Sequence, residues 1–183
     1  VWRPNPNGVY TASSGYNCLA NCDHSRHSAA SAWSFSCPRK QAFFGWCCLR
    51  GRLPTRDMLL RRGLQIPSNL CPLCGAEIET VTHLLLHCNY SWNVWSFFLG
   101  MFKIDYVIPH DLITLSQMAN YFGKGSKGRH MFKCCMGYIP WVLWKERNSR
   151  VFQNLGKPWR AINYFILQQI VGWLTRQKYF AGV

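Results

Sequence analysis

Between residues 71 and 88 the chain reads Cys71-Pro-Leu-Cys74-Gly75, then a stretch that ends His83-Leu-Leu-Leu-His87-Cys88. Pro-Leu between two thiols, with Gly immediately after them, is turn chemistry, and such a turn brings both sulfurs to one place. Soft thiolates and imidazoles gathered there are the donor set of Zn²⁺, which takes four ligands tetrahedrally and has no redox chemistry. A chain with ten Cys and six His makes some clusters by chance. Chance does not also place turn residues where a knuckle needs them. With four protein donors no position is left for a reactive water, so the metal is expected to be structural.

Choosing the last two ligands requires geometry. Thr80 is placed to cap a helix carrying Val81, Leu84 and Leu85. On that helix His83 and His87 share a face. His83 and Cys88 diverge by about 140° at 3.6 residues per turn, so Cys88 can ligate only if the helix loosens there. Thiolate affinity for zinc argues the other way, and His-x4-Cys is a spacing that zinc knuckles use. The expected set is Cys71, Cys74, His83 and Cys88, with His87 as the substitute. Glu77 and Glu79 fall in the intervening loop without ligand spacing.

The charge balance is lopsided. Twenty-one Lys and Arg against seven Asp and Glu leave a formal charge of +14, which favours polyanionic partners, nucleic acid or an anionic surface. The segment Cys71–Leu99 holds no Lys or Arg, so the basic surface must come from the sequence on either side. The apolar runs Met136–Trp144 and Ala161–Leu174 are shorter than the roughly 20 residues that span a bilayer, so no membrane partner is expected. The chain opens on Val and carries no charged-then-apolar signal segment. A piece of a longer, non-secreted, intracellular protein is therefore expected, the nucleus included among its compartments. In that setting ten cysteines argue for zinc and buried thiols rather than disulfides.

Taken in order, residues 1–12 predict a turn followed by a β-prone run at Val9–Thr11, with Ser13 or Ser14 capping a short helix. Cys18, Cys22, His24 and His27 resemble a second metal site, but one residue between the pairs leaves no loop to wrap a tetrahedron. They are read as core thiols and a polar linker. Trp33–Leu49 predicts a helix with Pro38 at its start, apolar nearly all round and hence deeply buried, with Gly45 as a weak point inside it. Thr55 and Gly63 bracket a second helix. Between Arg39 and Arg62 seven bases face one acid, Asp57, which suggests an anion-facing surface at Arg50, Arg52, Arg56, Arg61 and Arg62. Trp92, Trp95, Phe98, Leu99 and Phe102 recur at helical spacing. Gly123 to Gly128 spells Gly-x-Gly-x-x-Gly, but without a preceding strand it reads as a flexible basic loop and no small-molecule ligand is expected. A helix from about Arg129 should break or kink near Pro140. On its far side Trp141, Trp144, Asn148, Val151 and Phe152 form one stripe, with Arg150 opposite and Asn148 bonded to a neighbouring loop. Pro158 opens a last amphipathic helix, with Ile162, Phe165, Ile166, Ile170 and Trp173 inward.

These pieces carry a resemblance. Phe43-Phe44-x-Trp46, Gly51-Arg-Leu-Pro-Thr-Arg-Asp57, Leu59-Leu-Arg-Arg-Gly63, the Cys71–Cys88 motif and Trp144-Lys-Glu-Arg-Asn148 look like the reverse-transcriptase zinc-binding domain of plant LINE-type (non-LTR) retrotransposon polyproteins. The dense match covers about Trp33 to Trp95. Two departures stand out: Ser34-Phe-Ser36 replaces the basic residues usual after Trp33, and Gly45 replaces a larger apolar residue. The resemblance implies zinc as cofactor, with RNA or DNA and the polymerase portion of the polyprotein as partners.

Polymerase and ribonuclease H chemistry need clustered carboxylates for two metal ions. The seven acids here form no such cluster, and no nucleophile has a recognisable base beside it. The expectation is a mainly α, non-catalytic module built around a Cys-Cys-His-Cys knuckle, with a short N-terminal β segment. It divides into an N-terminal piece (1–32), the zinc-binding domain (33–102) and a basic helical extension (103–183). Two functions compete. One is RNA or DNA binding through basic flanking helices. The other is a scaffold docking the polymerase to a downstream domain.

Overall fold

The computed structural model describes residues 7–9, 11–14, 30–104 and 109–177. A 3-10 turn at Ala30–Ser34 leads to α1 (Arg39–Leu49) and α2 (Arg56–Arg61). The cysteine loop follows, then a π-helical turn (His83–His87) running into α3 (Asn89–Met101). Next, α4 (Leu112–Gln117) ends in a 3-10 turn (Met118–Tyr121), and two long helices close the fold, α5 (Lys127–Gln153) and α6 (Trp159–Leu174).

The mainly helical expectation holds, but the N-terminal strand does not. Val9 and Thr11 carry no strand, and residue 10 lies outside the described residues. Among the described residues the extended pairing is a lone antiparallel bridge, Leu70 to Ile78. Thr11 instead begins a helical turn. Its hydroxyl accepts from the Ser14 amide and Ser14 Oγ accepts from the Thr11 amide, both at 3.1 Å. This reciprocal box makes Thr11 the cap, not Ser13 or Ser14. Cys18, Cys22, His24 and His27 lie outside the described residues.

The central element is α5, which packs against α1, α3 and α6. Its start is set by Ser126, whose Oγ accepts from the Arg129 amide at 3.2 Å, so the last two residues of the glycine-rich stretch, Lys127 and Gly128, are already helix. It ends at Asn154, which takes the left-handed conformation (φ 54°). The break expected at Pro140 does not occur: the helix runs through it. Proline removes one hydrogen bond from the ladder. Here every residue from Cys134 to Pro140 is buried, and packing on several sides holds the two halves in line. One continuous core runs from Ala32 to Leu174. In α6 it takes Ile162, Ile166, Ile170 and Leu174, while Phe165 stays 39% exposed.

The expectation that α1 is buried all round is also corrected. Ala42, Phe44, Cys48 and Leu49 face the core, but Phe43 is 54% exposed and Trp46 and Cys47 only half-buried. Gly45 is explained by its neighbour. A β-carbon there would lie 2.8 Å from Phe35 Cε2, so the missing side chain is the space the Phe35 ring occupies. Gly45 and the Phe35 of Ser34-Phe-Ser36 are therefore fitted to each other.

Candidate metal centre

The cysteine loop is organised by short backbone bonds. The Cys71 amide donates to Glu77 O at 2.7 Å, the Gly75 amide to Cys71 O at 2.8 Å and the Glu79 amide to Asn69 O at 2.9 Å. Gly75 closes the knuckle at φ +72°, a conformation that favours glycine. On the other side Thr80 Oγ1 accepts from the His83 amide at 3.0 Å, capping the turn that carries the histidine.

Here the helix loosens. The Cys88 amide donates to His83 O at 2.7 Å, the five-residue bond of a π turn, and Cys88 itself is extended (φ −65°, ψ 132°). A π turn holds more residues per revolution than an α turn, so positions five apart come back toward one face. His83 and Cys88 thereby meet, and Leu84, Leu85 and Leu86 in between are all buried.

Cys71 Sγ, Cys74 Sγ, His83 and Cys88 Sγ have their donor atoms all within 4.8 Å of one another. Cys71 and Cys88 sulfurs are 3.9 Å apart, and Cys74 Sγ lies 3.4 Å from His83 Nε2. Tetrahedral zinc, with Zn–S of about 2.3 Å and Zn–N of about 2.0–2.1 Å, needs separations of about 3.8 Å between sulfurs and about 3.6 Å between sulfur and nitrogen. The donor set fits the ion. When bound, Zn²⁺ supplies a four-way crosslink of the loop. His87 points elsewhere: it is exposed, with Nε2 3.3 Å from His110 O.

The electrostatics favour thiolate at Cys88. The Cys71 thiol donates toward it, which pushes Cys71 up and pulls Cys88 down; Ser91 and Tyr90 amides at the start of α3 lower Cys88 further. A sulfur at a helix N-terminus is a favourable place for negative charge. Burial holds His83 below the usual histidine range, keeping its imidazole neutral as ligation requires.

The knuckle is not self-supporting. Glu79 is fully buried, and its carboxylate accepts from Arg147 Nε at 2.7 Å, Arg147 Nη2 at 2.9 Å and the Arg56 amide at 3.0 Å. Arg150 Nη1 donates to Leu73 O at 2.9 Å, inside the Cys-Pro-Leu-Cys turn, while its Nε bonds Glu146 at 2.9 Å. Its guanidinium also lies 4.6 Å from the Tyr90 ring. Arg150 thus faces the finger rather than away from it. Asn148 accepts from Arg147 Nη1 at 3.0 Å, not from a loop, and Phe152 is 75% exposed. These partners were missed by reading Trp141, Trp144 and Asn148 as the stripe. The buried positions are Ile139, Val142, Leu143, Glu146 and Arg147, an i, i+3, i+4, i+7, i+8 series in which two charges stand out.

The five arginines assigned to an anion-facing surface have different surroundings. Arg52 and Arg62 are exposed. Arg61 is 73% exposed and pairs with Asp57 at 3.4 Å. Arg50 lies over the Trp46 ring at 5.5 Å. Arg56 is largely engaged, donating from Nη1 to Leu70 O at 2.6 Å beside Glu79.

Residues 10–95 match the protein family described as zinc-binding in reverse transcriptase. All four donors fall inside the matched segment, and zinc is the cofactor of this domain. Comparisons with curated proteins and with solved structures give no match. Among the described residues no helix is long and apolar enough to cross a membrane.

Proposed function

We propose that this chain is the non-catalytic zinc-binding accessory module of a retrotransposon reverse transcriptase of the plant LINE type, and that it binds RNA or DNA. Cys71, Cys74, His83 and Cys88 are its metal ligands. The observation that carries this reading is the closed donor set: four protein side chains converge on one point, a structural rather than a catalytic arrangement. Nucleic acid is met by the basic residues before the finger, with Arg50, Arg52, Arg61 and Arg62 accessible to phosphate and Arg56 acting mainly inside the fold. The net charge of +14 supports this. A titration of the zinc-loaded chain against RNA and DNA oligonucleotides over a range of salt tests it. Micromolar affinity that falls steeply with salt is expected, with a shallower slope when Arg52, Arg61 and Arg62 become Ala.

A second reading, a scaffold that docks the polymerase to a downstream domain, is favoured by one observation. A groove of about 580 Å³ between α5 and α6 mixes apolar lining (Val142, Phe152, Phe165) with charged lining (Lys145, Glu146, Lys157). Salt-insensitive or absent oligonucleotide binding would favour it over the first.

A further inference from the structure

The exposed side of α1 carries an ordered set of rings. Arg39, Phe43, Trp46 and Arg50 are spaced by four, three and four residues, which at 3.6 residues per turn puts all four on one narrow face. Trp33, from the preceding 3-10 turn, lies with its ring centroid 6.5 Å from that of Phe43. Phe43 in turn stacks on Trp46 at 5.9 Å, their planes 21° apart, and the Arg50 guanidinium sits over Trp46 at 5.5 Å. The result is a continuous run of contacts, Trp33 tilted 43° against Phe43, Phe43 stacked on Trp46, and Arg50 over Trp46. Its first two rings are more than half exposed, Trp33 at 56% and Phe43 at 54%.

Two rings this exposed sacrifice burial that would favour folding, yet α1 has an inward face into which neighbouring Phe44 fits. The surroundings point to what covers them. The segment from Arg39 to Arg52 contains no acid and four bases, with Arg39 and Lys40 at one end and Arg50 and Arg52 at the other. Aromatic faces interleaved with cations are the chemistry that holds unpaired bases and their phosphates together. A duplex keeps its bases stacked on each other and offers such a platform only its backbone.

We propose that this face is a stacking platform for single-stranded nucleic acid, with Trp33 and Phe43 receiving bases and Arg39, Arg50 and Arg52 taking the flanking phosphates. The proposal rests on the nucleic-acid reading above and refines it: the strand is single and is held by ring stacking as well as by charge. The zinc site plays no direct part in that contact.

The test uses the full zinc-loaded chain and fluorescence anisotropy with a fifteen-nucleotide oligo-uridine and a length-matched RNA duplex, at low and moderate salt. Trp33→Ala and Phe43→Ala replace exposed rings, and zinc content with circular dichroism checks that each variant is folded. Base stacking on an aromatic ring predicts roughly 5- to 150-fold weaker oligo-uridine binding per ring removed, with the salt slope and duplex affinity unchanged. Trp33→Phe and Phe43→Tyr should restore most of the loss, which a merely structural role would not require. Wild-type affinity for oligo-uridine in both alanine variants would overturn the platform and leave salt-dependent binding standing. Loss of binding to the polymerase portion of the polyprotein, with oligo-uridine affinity intact, would overturn it in favour of a protein-docking face. A wild-type chain that binds neither oligonucleotide would remove the nucleic-acid reading itself.

Discussion

Arg147 closes both of its parallel donors onto the carboxylate of Glu79, Nε on Oε1 at 2.7 Å and Nη2 on Oε2 at 2.9 Å, across 68 residues of sequence. Both side chains are buried, Glu79 completely and Arg147 to within 4%. One end of this fork stands in the cysteine loop and the other on the central helix α5. It fixes the orientation of the knuckle relative to the core.

Removing one partner of such a pair leaves the other charge buried without compensation. Glu79→Gln and Arg147→Met should each destabilise the zinc-loaded protein by about 3–5 kcal/mol. The double variant should recover a large part of that loss, because no orphan charge remains. Thermal denaturation of the four proteins at one zinc concentration measures the coupling. Additive single effects would mean that the pair is not acting as a unit.

The ligand set has a spectroscopic signature. Cobalt-substituted protein should show the thiolate charge-transfer intensity of three sulfurs. His87→Ala should keep both metal and spectrum, since that imidazole faces His110 O instead of the cluster. Cys88→Ala should lose the metal or drop to a two-sulfur spectrum, and the finger should unfold locally because metal binding and folding are linked. The reverse pattern would make His87 the ligand.

Cysteine labelling should separate the two classes of thiol. Burial pushes Cys37 up to about 12 and Cys134 up to about 12. At pH 8 both are thiols, and alkylation needs thiolate. Iodoacetamide followed by peptide mass mapping should leave Cys37 and Cys134 unmodified in the zinc-loaded protein. Chelator should release Cys71, Cys74 and Cys88 to label well ahead of them. Equal rates at all five positions would show that the burial of Cys37 and Cys134 does not persist in solution.

Gly45 offers a test in which intrinsic preference and packing oppose each other. Alanine is better than glycine in a helix by about 1 kcal/mol. Even so, Gly45→Ala should destabilise, because the new β-carbon collides with Phe35; overpacking typically costs about 1–3 kcal/mol. Phe35→Leu on top of Gly45→Ala should relieve the clash. Urea melts that show Gly45→Ala stabilising on its own would disprove the contact.

The parts readable in advance were those encoded locally. Turn residues around Cys71 and Cys74, the Thr80 cap, the Thr55 start of α2, the apolar spacing of α3 and the isoleucines of α6 all depend on near neighbours and correspond to observed features, whereas Phe165, read as inward, is exposed. What escaped was set by distant groups. A strict 3.6-residue repeat could not choose between His87 and Cys88, because the π turn depends on where the three buried leucines pack. Pro140 reads as a breaker until the helices around it are known. Glu79 looked like a loop carboxylate since its partner is on another helix, and Phe43 looked buried because composition does not reveal which side of a helix is covered.

Arg150 and Arg147 give the finger a dependency that its own residues do not reveal. All four metal donors lie within residues 71–88, yet the carbonyl of Leu73 and the carboxylate of Glu79 are held from residues 147–150. The motif is consequently a poor graft: moved into another protein, it would carry its donors and leave its foundations behind. By the same logic, a stop or frameshift between residues 88 and 147 in a copy of the gene would spare every cysteine and histidine of the site and still weaken the grip on zinc.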